Sequence, residues 1–321
     1  MSPTPLPRHR AGSKAWHRAR REGIGASEIA AVLGLSPWVS PFTLHHIKTG
    51  AVDPDYADNP ATYWGRRKEA LIVAEWSRRN RWATVKRTGS WAAAGDPWMT
   101  AAPDRNLYRD GDLDHLAAVL EAKTARHADG WGPDGSDEIP VHYRCQVTAQ
   151  MHVMEVPVAH VAVLIGSSDF RCYEVGYDEA EALLLVDAGR AFWQAVLDGT
   201  PPPVDAADST TQTLKRLHAD VDDTEIVLPA RLVDDYRIAL QTAQAAEQQK
   251  NAYANEVLAL LGRARTALAP DGSKVATRSV STPSRFDRAA FRKAHPDLEA
   301  RFTVTGQPAV RLTPNLKELT K

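Results

Sequence analysis

Apolar positions along the chain change spacing from helical to alternating and back, and this pattern predicts the elements. Residues 13–21 read as a polar, arginine-rich helix. After Gly23-Ile-Gly-Ala-Ser-Glu28, the run Ile29-Ala-Ala-Val-Leu33 reads as a short helix with Ser27 as its N-cap and Gly34 as its stop. Residues 36–41 form a turn, and Ser40-Pro41 starts a further helix through Leu44 and Ile47 that Gly50 ends. A longer helix over 61–80 carries Trp64, Leu71, Ile72, Ala74 and Trp76. Strand character follows at 82–88, 98–102 and 117–124, with the polar stretch 106–114 as the turn of a hairpin between the last two. Helical spacing returns over 142–154 through Tyr143, Gln146, Val147, Gln150 and Met151. Two strands, 160–165 and 170–175, are joined by a turn at 166–169, and an amphipathic helix over 179–197 closes on Asp198-Gly-Thr-Pro-Pro-Pro203.

This order predicts an α/β domain over 1–203 with a mixed central sheet flanked by helices. The proline run marks a boundary, and the polar segment 204–224 reads as a linker. Residues 225–321 read as a mainly helical extension: one long Ala/Gln/Leu-rich helix over 228–262 with coiled-coil character, a small β element at 274–281, and a helix start at 285–291.

Composition narrows the function classes only modestly. The 321 residues suit one catalytic domain with an appendage, and 39 basic against 40 acidic side chains exclude a strongly basic nucleic-acid-coating protein. Arginines cluster early, at Arg8, Arg10, Arg18, Arg20, Arg21, Arg66, Arg67, Arg78, Arg79 and Arg81; a solvated helical face explains such a run as well as a phosphate-binding surface does. Two cysteines make neither a disulfide framework nor a zinc site. The N-terminus lacks the apolar core of a signal peptide, and no apolar run is long enough to cross a bilayer, so a soluble intracellular protein is expected.

The candidate chemistry lies in Asp104 and in Glu121-Ala-Lys123. A carboxylate at the end of one strand, with Glu-x-Lys on the next, places two oxygen ligands and an ammonium around one point. Such a set suits metal-assisted phosphodiester hydrolysis. Taken singly, each residue has a plain alternative. Glu-x-Lys also suits a solvated cross-strand pair, Asp104 after Pro103 suits a turn, Glu69 suits a helix-surface charge, and Tyr143 and Gln146 suit an ordinary helix face.

The segment from Gly23 to Trp38, with Ser40-Pro-Phe-Thr-Leu44 and Lys48-Thr-Gly50, resembles the opening of the YqaJ-type viral recombinases. These are phage exonucleases similar to lambda exonuclease, within the PD-(D/E)xK nuclease superfamily. The resemblance continues through Trp64-Gly-Arg-Arg-Lys-Glu69, Ala102-Pro-Asp104, Leu120-Glu-Ala-Lys123 and 140–151, covering about residues 15–200. It implies a restriction-endonuclease-like core. Asp104, Glu121, the carbonyl of Ala122 and Glu69 would be metal ligands or supports for Mg²⁺, with Mn²⁺ as a substitute, and Lys123 the catalytic lysine. Gln146, with Tyr143, would lie beside the scissile phosphate, and Arg21 and Ser27 would hold a terminal 5′-phosphate. It further implies digestion of duplex DNA ends from 5′ to 3′ to leave 3′ single-stranded tails. A homo-oligomeric ring such as a trimer, a single-strand annealing partner and a cytoplasmic place in a bacterial host come with it. Another nuclease activity of the superfamily, as an endonuclease or single-strand exonuclease, and a non-catalytic DNA-binding or assembly protein are the alternatives. Arg105 departs from the family, which usually has glycine after the aspartate, and Ala122 stands where Ile or Val is usual.

Overall fold

The computed structural model describes residues 2–10, 12–54, 60–109, 111–304 and 310–315. The chain divides into two compact units, Met1–His218 and Ala219–Lys321. In the first, the elements run β1 (Thr4–Pro5), α1 (Lys14–Arg21), β2 (Ile24–Gly25), a 3-10 turn (Ala26–Glu28), α2 (Ile29–Val32), α3 (Pro41–Lys48), α4 (Pro60–Arg79), β3 (Ala83–Arg87), β4 (Trp91–Ala92), β5 (Met99–Ala101), β6 (Arg105–Arg109), β7 (Leu116–Ala125), α5 (Val141–Met154), β8 (Val158–Ile165), β9 (Asp169–Gly176), α6 (Glu179–Leu197) and α7 (Asp208–Leu217).

The central sheet has the order β3-β6-β7-β8-β9 and is antiparallel except for the parallel pair β7–β8, which α5 connects. This is the mixed α/β core, flanked by helices, that the sequence predicts. Alternation along β7 assigns its two faces. Ala118 and Leu120 pack with Ile72, Val73 and Trp76 of α4. Val119 packs with Val147 and Met151 of α5, so Glu121 and Lys123 belong to the α5 face. The opposite side of α5, through Cys145, Ala149 and Val153, meets a second cluster with Ile29, Met99, Leu185 and Phe192. Packed on both sides, α5 buries even its glutamines, Gln146 and Gln150.

A smaller sheet, β1-β4-β5-β2, closes that second cluster. Its strand β2 pairs in parallel with β5, and a Cβ on Gly23 would lie 2.4 Å from the carbonyl oxygen of Trp98. The glycine at the head of the opening block therefore has a packing reason: only a residue without Cβ lets the two backbones approach.

Three expectations change. Residues 106–109, read as part of the turn 106–114, belong to β6, which pairs with both β3 and β7 and buries Arg105, Asn106 and Leu107. Asp104 consequently stands at the start of β6 rather than at the end of β5. Ser27 is not an N-cap: it is exposed inside the 3-10 turn, and the N–H of Gly25 donates instead to Glu28 Oε2 at 2.8 Å. Residues 208–217, assigned to the linker 204–224, form α7. Its Thr210 and Thr213 hydroxyls lie 2.6 and 2.9 Å from those of Ser40 and Thr43, so the first unit runs past 203 to His218. A helix whose buried face is threonine carries little apolar periodicity, which is why its sequence reads as a linker.

The second unit contains α8 (Ala230–Leu261), the hairpin β10 (Thr266–Leu268) and β11 (Lys274–Thr277), and the short helices α9 (Arg288–Ala294) and α10 (Pro296–Phe302). Arg288 and Arg292 both pair with Glu299, tying the last two helices together. Along α8 the side chains of Leu232, Ile238, Tyr253, Leu258 and Leu260 are exposed. Among the described residues no helix is long and apolar enough to cross a membrane.

Candidate functional site

The register of β6 and β7 brings the candidate acids together. Arg105 pairs with Leu120, which sets the preceding Asp104 beside Glu121. One Asp104 oxygen, Oδ2, accepts the backbone N–H of Ala122 at 2.8 Å. Burial, reinforced by the charges of Glu121 and Glu69 and only partly opposed by that N–H and by Lys123, pushes the Asp104 carboxyl up to about 8. Two carboxylates side by side in a desolvated place hold a proton readily and would hold a cation in its stead.

Lys123 follows Glu121 on the same face of the strand. Its Nζ donates to Glu121 Oε1 at 2.7 Å and to Gln146 Oε1 at 3.0 Å, and stands 4.6 Å from the centre of the Tyr143 ring. Burial would strip the ammonium of its proton, but the charge and hydrogen bond of Glu121, with the charge of Asp104, outweigh it and hold the lysine above its ordinary value. Lys123 is therefore a cation throughout the neutral range. The Gln146 amide completes the triangle, its Nε2 donating to Glu121 Oε1 at 2.7 Å.

Sequence reasoning missed two further members. Gln150, one turn beyond Gln146, donates from Nε2 to Glu121 Oε2 at 2.9 Å. Its place four residues after Gln146 on a predicted helix is the signal that could have found it. Arg105, noted only as a departure from the family, donates from Nη1 to Glu69 Oε1 at 2.7 Å and also bonds the Asp104 carbonyl. Since Arg105 pairs with Leu120, its side chain lies on the α4 face, where it meets Glu69 of α4. Glu69 is thus near Asp104 but is engaged by a guanidinium.

The residues expected at a terminal phosphate are placed as follows. The 3-10 turn bearing exposed Ser27 packs against α5. Arg21 Nη2 lies 2.6 Å from Asp53 Oδ1 in an exposed pair. Its neighbour Arg20 reaches Glu28 Oε1 at 2.8 Å, while Lys48 Nζ, fully buried, reaches Glu28 Oε2 at 2.7 Å. Burial raises the Glu28 carboxyl, but the charges of Lys48 and Arg20 prevail and hold it at about 2. On the other partner burial prevails, lowering Lys48. The Glu28–Lys48 pair, buried on its lysine side, fastens the opening block to α3.

Among the described residues no three His, Cys, Asp or Glu side chains gather as a ready-made metal cage. The donor set of Asp104 and Glu121 nevertheless fits Mg²⁺, a hard cation that is commonly held by one or two carboxylates and keeps several waters.

Residues 15–157 match the family model of the YqaJ-like viral recombinase domain. The chain is 29% identical over 217 residues to an uncharacterized protein YqaJ of Bacillus subtilis (strain 168), a match that takes in 66% of this chain and 65% of that protein. Its structure is similar to an alkaline exonuclease from Laribacter hongkongensis, with 16% identity, a TM-score of 0.47, and 59% of this chain and 94% of that one covered. It is also similar to a phage related exonuclease from Haemophilus somnus 129PT, with 8% identity, a TM-score of 0.40, and 57% and 99% covered.

Proposed function

We propose, from the match of residues 15–157 to the family model of the YqaJ-like viral recombinase domain, that the chain is a metal-dependent deoxyribonuclease. It digests duplex DNA from 5′ ends and leaves 3′ single-stranded tails for recombination. The observation that carries this reading is the convergence of Asp104, Glu121, Lys123 and Gln146 on one buried point at the junction of β6, β7 and α5.

Asp104 and Glu121 would hold Mg²⁺, with the Ala122 carbonyl as a further donor. When bound, the ion supplies Lewis-acid polarisation of the phosphate and a lowered pKa for an attacking water. The residues of the chain do the rest. Lys123, a fixed cation, donates hydrogen bonds toward the charge that develops on the phosphate oxygens. Gln146 bridges Glu121 and Lys123, so the carboxylate and the ammonium keep one geometry relative to each other. Tyr143 covers the ammonium with its ring and limits water beside it. Ser27 and Arg21 would receive the terminal phosphate of the 5′ strand, Arg21 exchanging its exposed partner Asp53 for that phosphate. A homo-oligomeric ring around DNA and a single-strand annealing protein would complete the cytoplasmic recombination machinery.

Incubation of 5′- and 3′-labelled linear duplex and of closed circular duplex with Mg²⁺ tests the proposal. Early release of mononucleotides from the 5′ label, with the closed circle intact, is expected. Cutting of the closed circle would show an endonuclease instead.

A further inference from the structure

Trp38 is 63% exposed, yet its turn is held in place. The hydroxyl of Ser36 accepts the backbone N–H groups of both Trp38 and Val39, at 3.2 and 3.3 Å, and Val39 packs against the cluster around α2. The indole meets the first turn of α5, its ring centre 4.9 Å from that of His142 at 83° and 6.2 Å from that of Tyr143 at 46°. Tyr143 is the ring against which Lys123 rests. An aromatic ledge therefore runs from solvent at Trp38, through His142 and Tyr143, to the lysine and the two carboxylates.

An indole left in water on a fixed turn adds little to folding, since most of its surface stays hydrated. What the ledge offers is a flat, uncharged π surface next to groups that would engage a phosphate. A nucleotide has this pair of features in complementary form. Stacking is also indifferent to base identity, because every base presents a π face, and this suits an enzyme that must advance through any sequence.

We propose that Trp38 is a stacking platform for a nucleobase of the strand being cut, and that this stack positions the adjoining phosphate at Asp104 and Glu121. The proposal rests on the nuclease reading. Within it, Trp38 is a positioning residue whose loss weakens substrate binding more than turnover.

The test uses the full chain, Trp38→Ala, Trp38→Phe, and a 5′-phosphorylated duplex carrying 2-aminopurine in its terminal nucleotides. Binding is followed by fluorescence without added metal, and digestion by product release with Mg²⁺. Wild type and Trp38→Phe are expected to quench the probe on binding. Trp38→Ala is expected to bind without that quench and to show KM raised about tenfold with kcat changed less than about threefold, as loss of one base–aromatic stack implies. If Trp38→Ala quenches and digests like wild type, the platform is overturned while the nuclease reading stands. If wild type and Trp38→Phe quench and Trp38→Ala does not, but none digests, the platform stands and the nuclease reading fails. A changed oligomeric state in Trp38→Ala with its base signal intact would show a subunit contact and overturn the platform. Failure of wild type to bind the duplex at all would overturn both.

Discussion

The carboxamide nitrogen of Gln150 lies 2.9 Å from Oε2 of Glu121, while Gln146 and Lys123 both donate to Oε1 of the same carboxylate. Gln150 is 1% exposed, and its own Oε1 finds no hydrogen-bond partner among the described residues. A buried acceptor left unpaired costs about 1–3 kcal/mol. An apolar side chain of similar volume would avoid that cost, so the residue is explained by what it does for Glu121. Gln150→Met should keep the fold and lower Mg²⁺ affinity or kcat about tenfold or more, the usual range for removing a partner of a metal-holding group. Calorimetric titration with Mg²⁺ and a digestion time course check both, and unchanged values would show that Gln150 is packing alone.

The Asp104 carboxyl, pushed up to about 8, gives a proton-linked signature. At pH 7 the metal-free protein holds this proton, and a cation on Asp104 must displace it. Titration with Mg²⁺ in buffers of different ionisation enthalpy should show about one proton released per ion at pH 7 and almost none at pH 9. The same carboxyl lowers stability as pH rises. The unfolded chain gives up this proton near pH 4 and the native state near pH 8, so native protein binds more protons in between, and that window is where metal-free stability should fall. Asp104→Asn should remove both effects.

Glu28 acts in the opposite sense. Held at about 2 by Lys48 and Arg20, it contributes stability that is complete above its unfolded value near 4.5 and is lost as pH falls toward 2. The contribution is roughly 3 kcal/mol. The difference in urea midpoint between wild type and Glu28→Gln should be largest near pH 6 and shrink steadily below pH 4.5. A difference independent of pH would assign the effect to packing instead.

Arg105 and Glu69 divide their roles unequally. Glu69→Ala leaves the buried guanidinium with the Asp104 carbonyl and should lower stability by about 2 kcal/mol, whereas Glu69→Gln keeps an oxygen for Arg105 and should lose less than about 1 kcal/mol. Chemical denaturation of the three proteins checks the order.

Much of the frame was legible in the sequence because the long helices and the strands β7 and β8 carry strong periodicity. α4, α5 and α6 begin and end within a residue or two of their expected bounds. β6 was not legible. Its buried positions include Arg105 and Asn106, and these are buried through the ion pair with Glu69 and the pairing to two neighbouring strands, which only the tertiary structure supplies. The same strand decides where Asp104 stands, so the candidate acids could be proposed from the sequence but not placed. Ser27 looked like a cap because its type suits one, yet the Glu28 carboxylate three residues from Gly25 satisfied the orphan N–H first. Gln150 was seen as part of a helical stripe, and its bond to Glu121 depended on a face of α5 that periodicity alone does not assign.

The central claim is that Lys123 and its carboxylates form a nuclease site. It is tested most directly by comparing wild type with Lys123→Ala on 5′-labelled linear duplex in Mg²⁺, with duplex binding measured alongside. The account predicts label release by wild type, at least a hundredfold less by the variant, about a 2.7 kcal/mol loss of transition-state stabilisation, and similar binding by both. Equal release by the two proteins, or none by wild type under conditions where it binds the duplex, would contradict it.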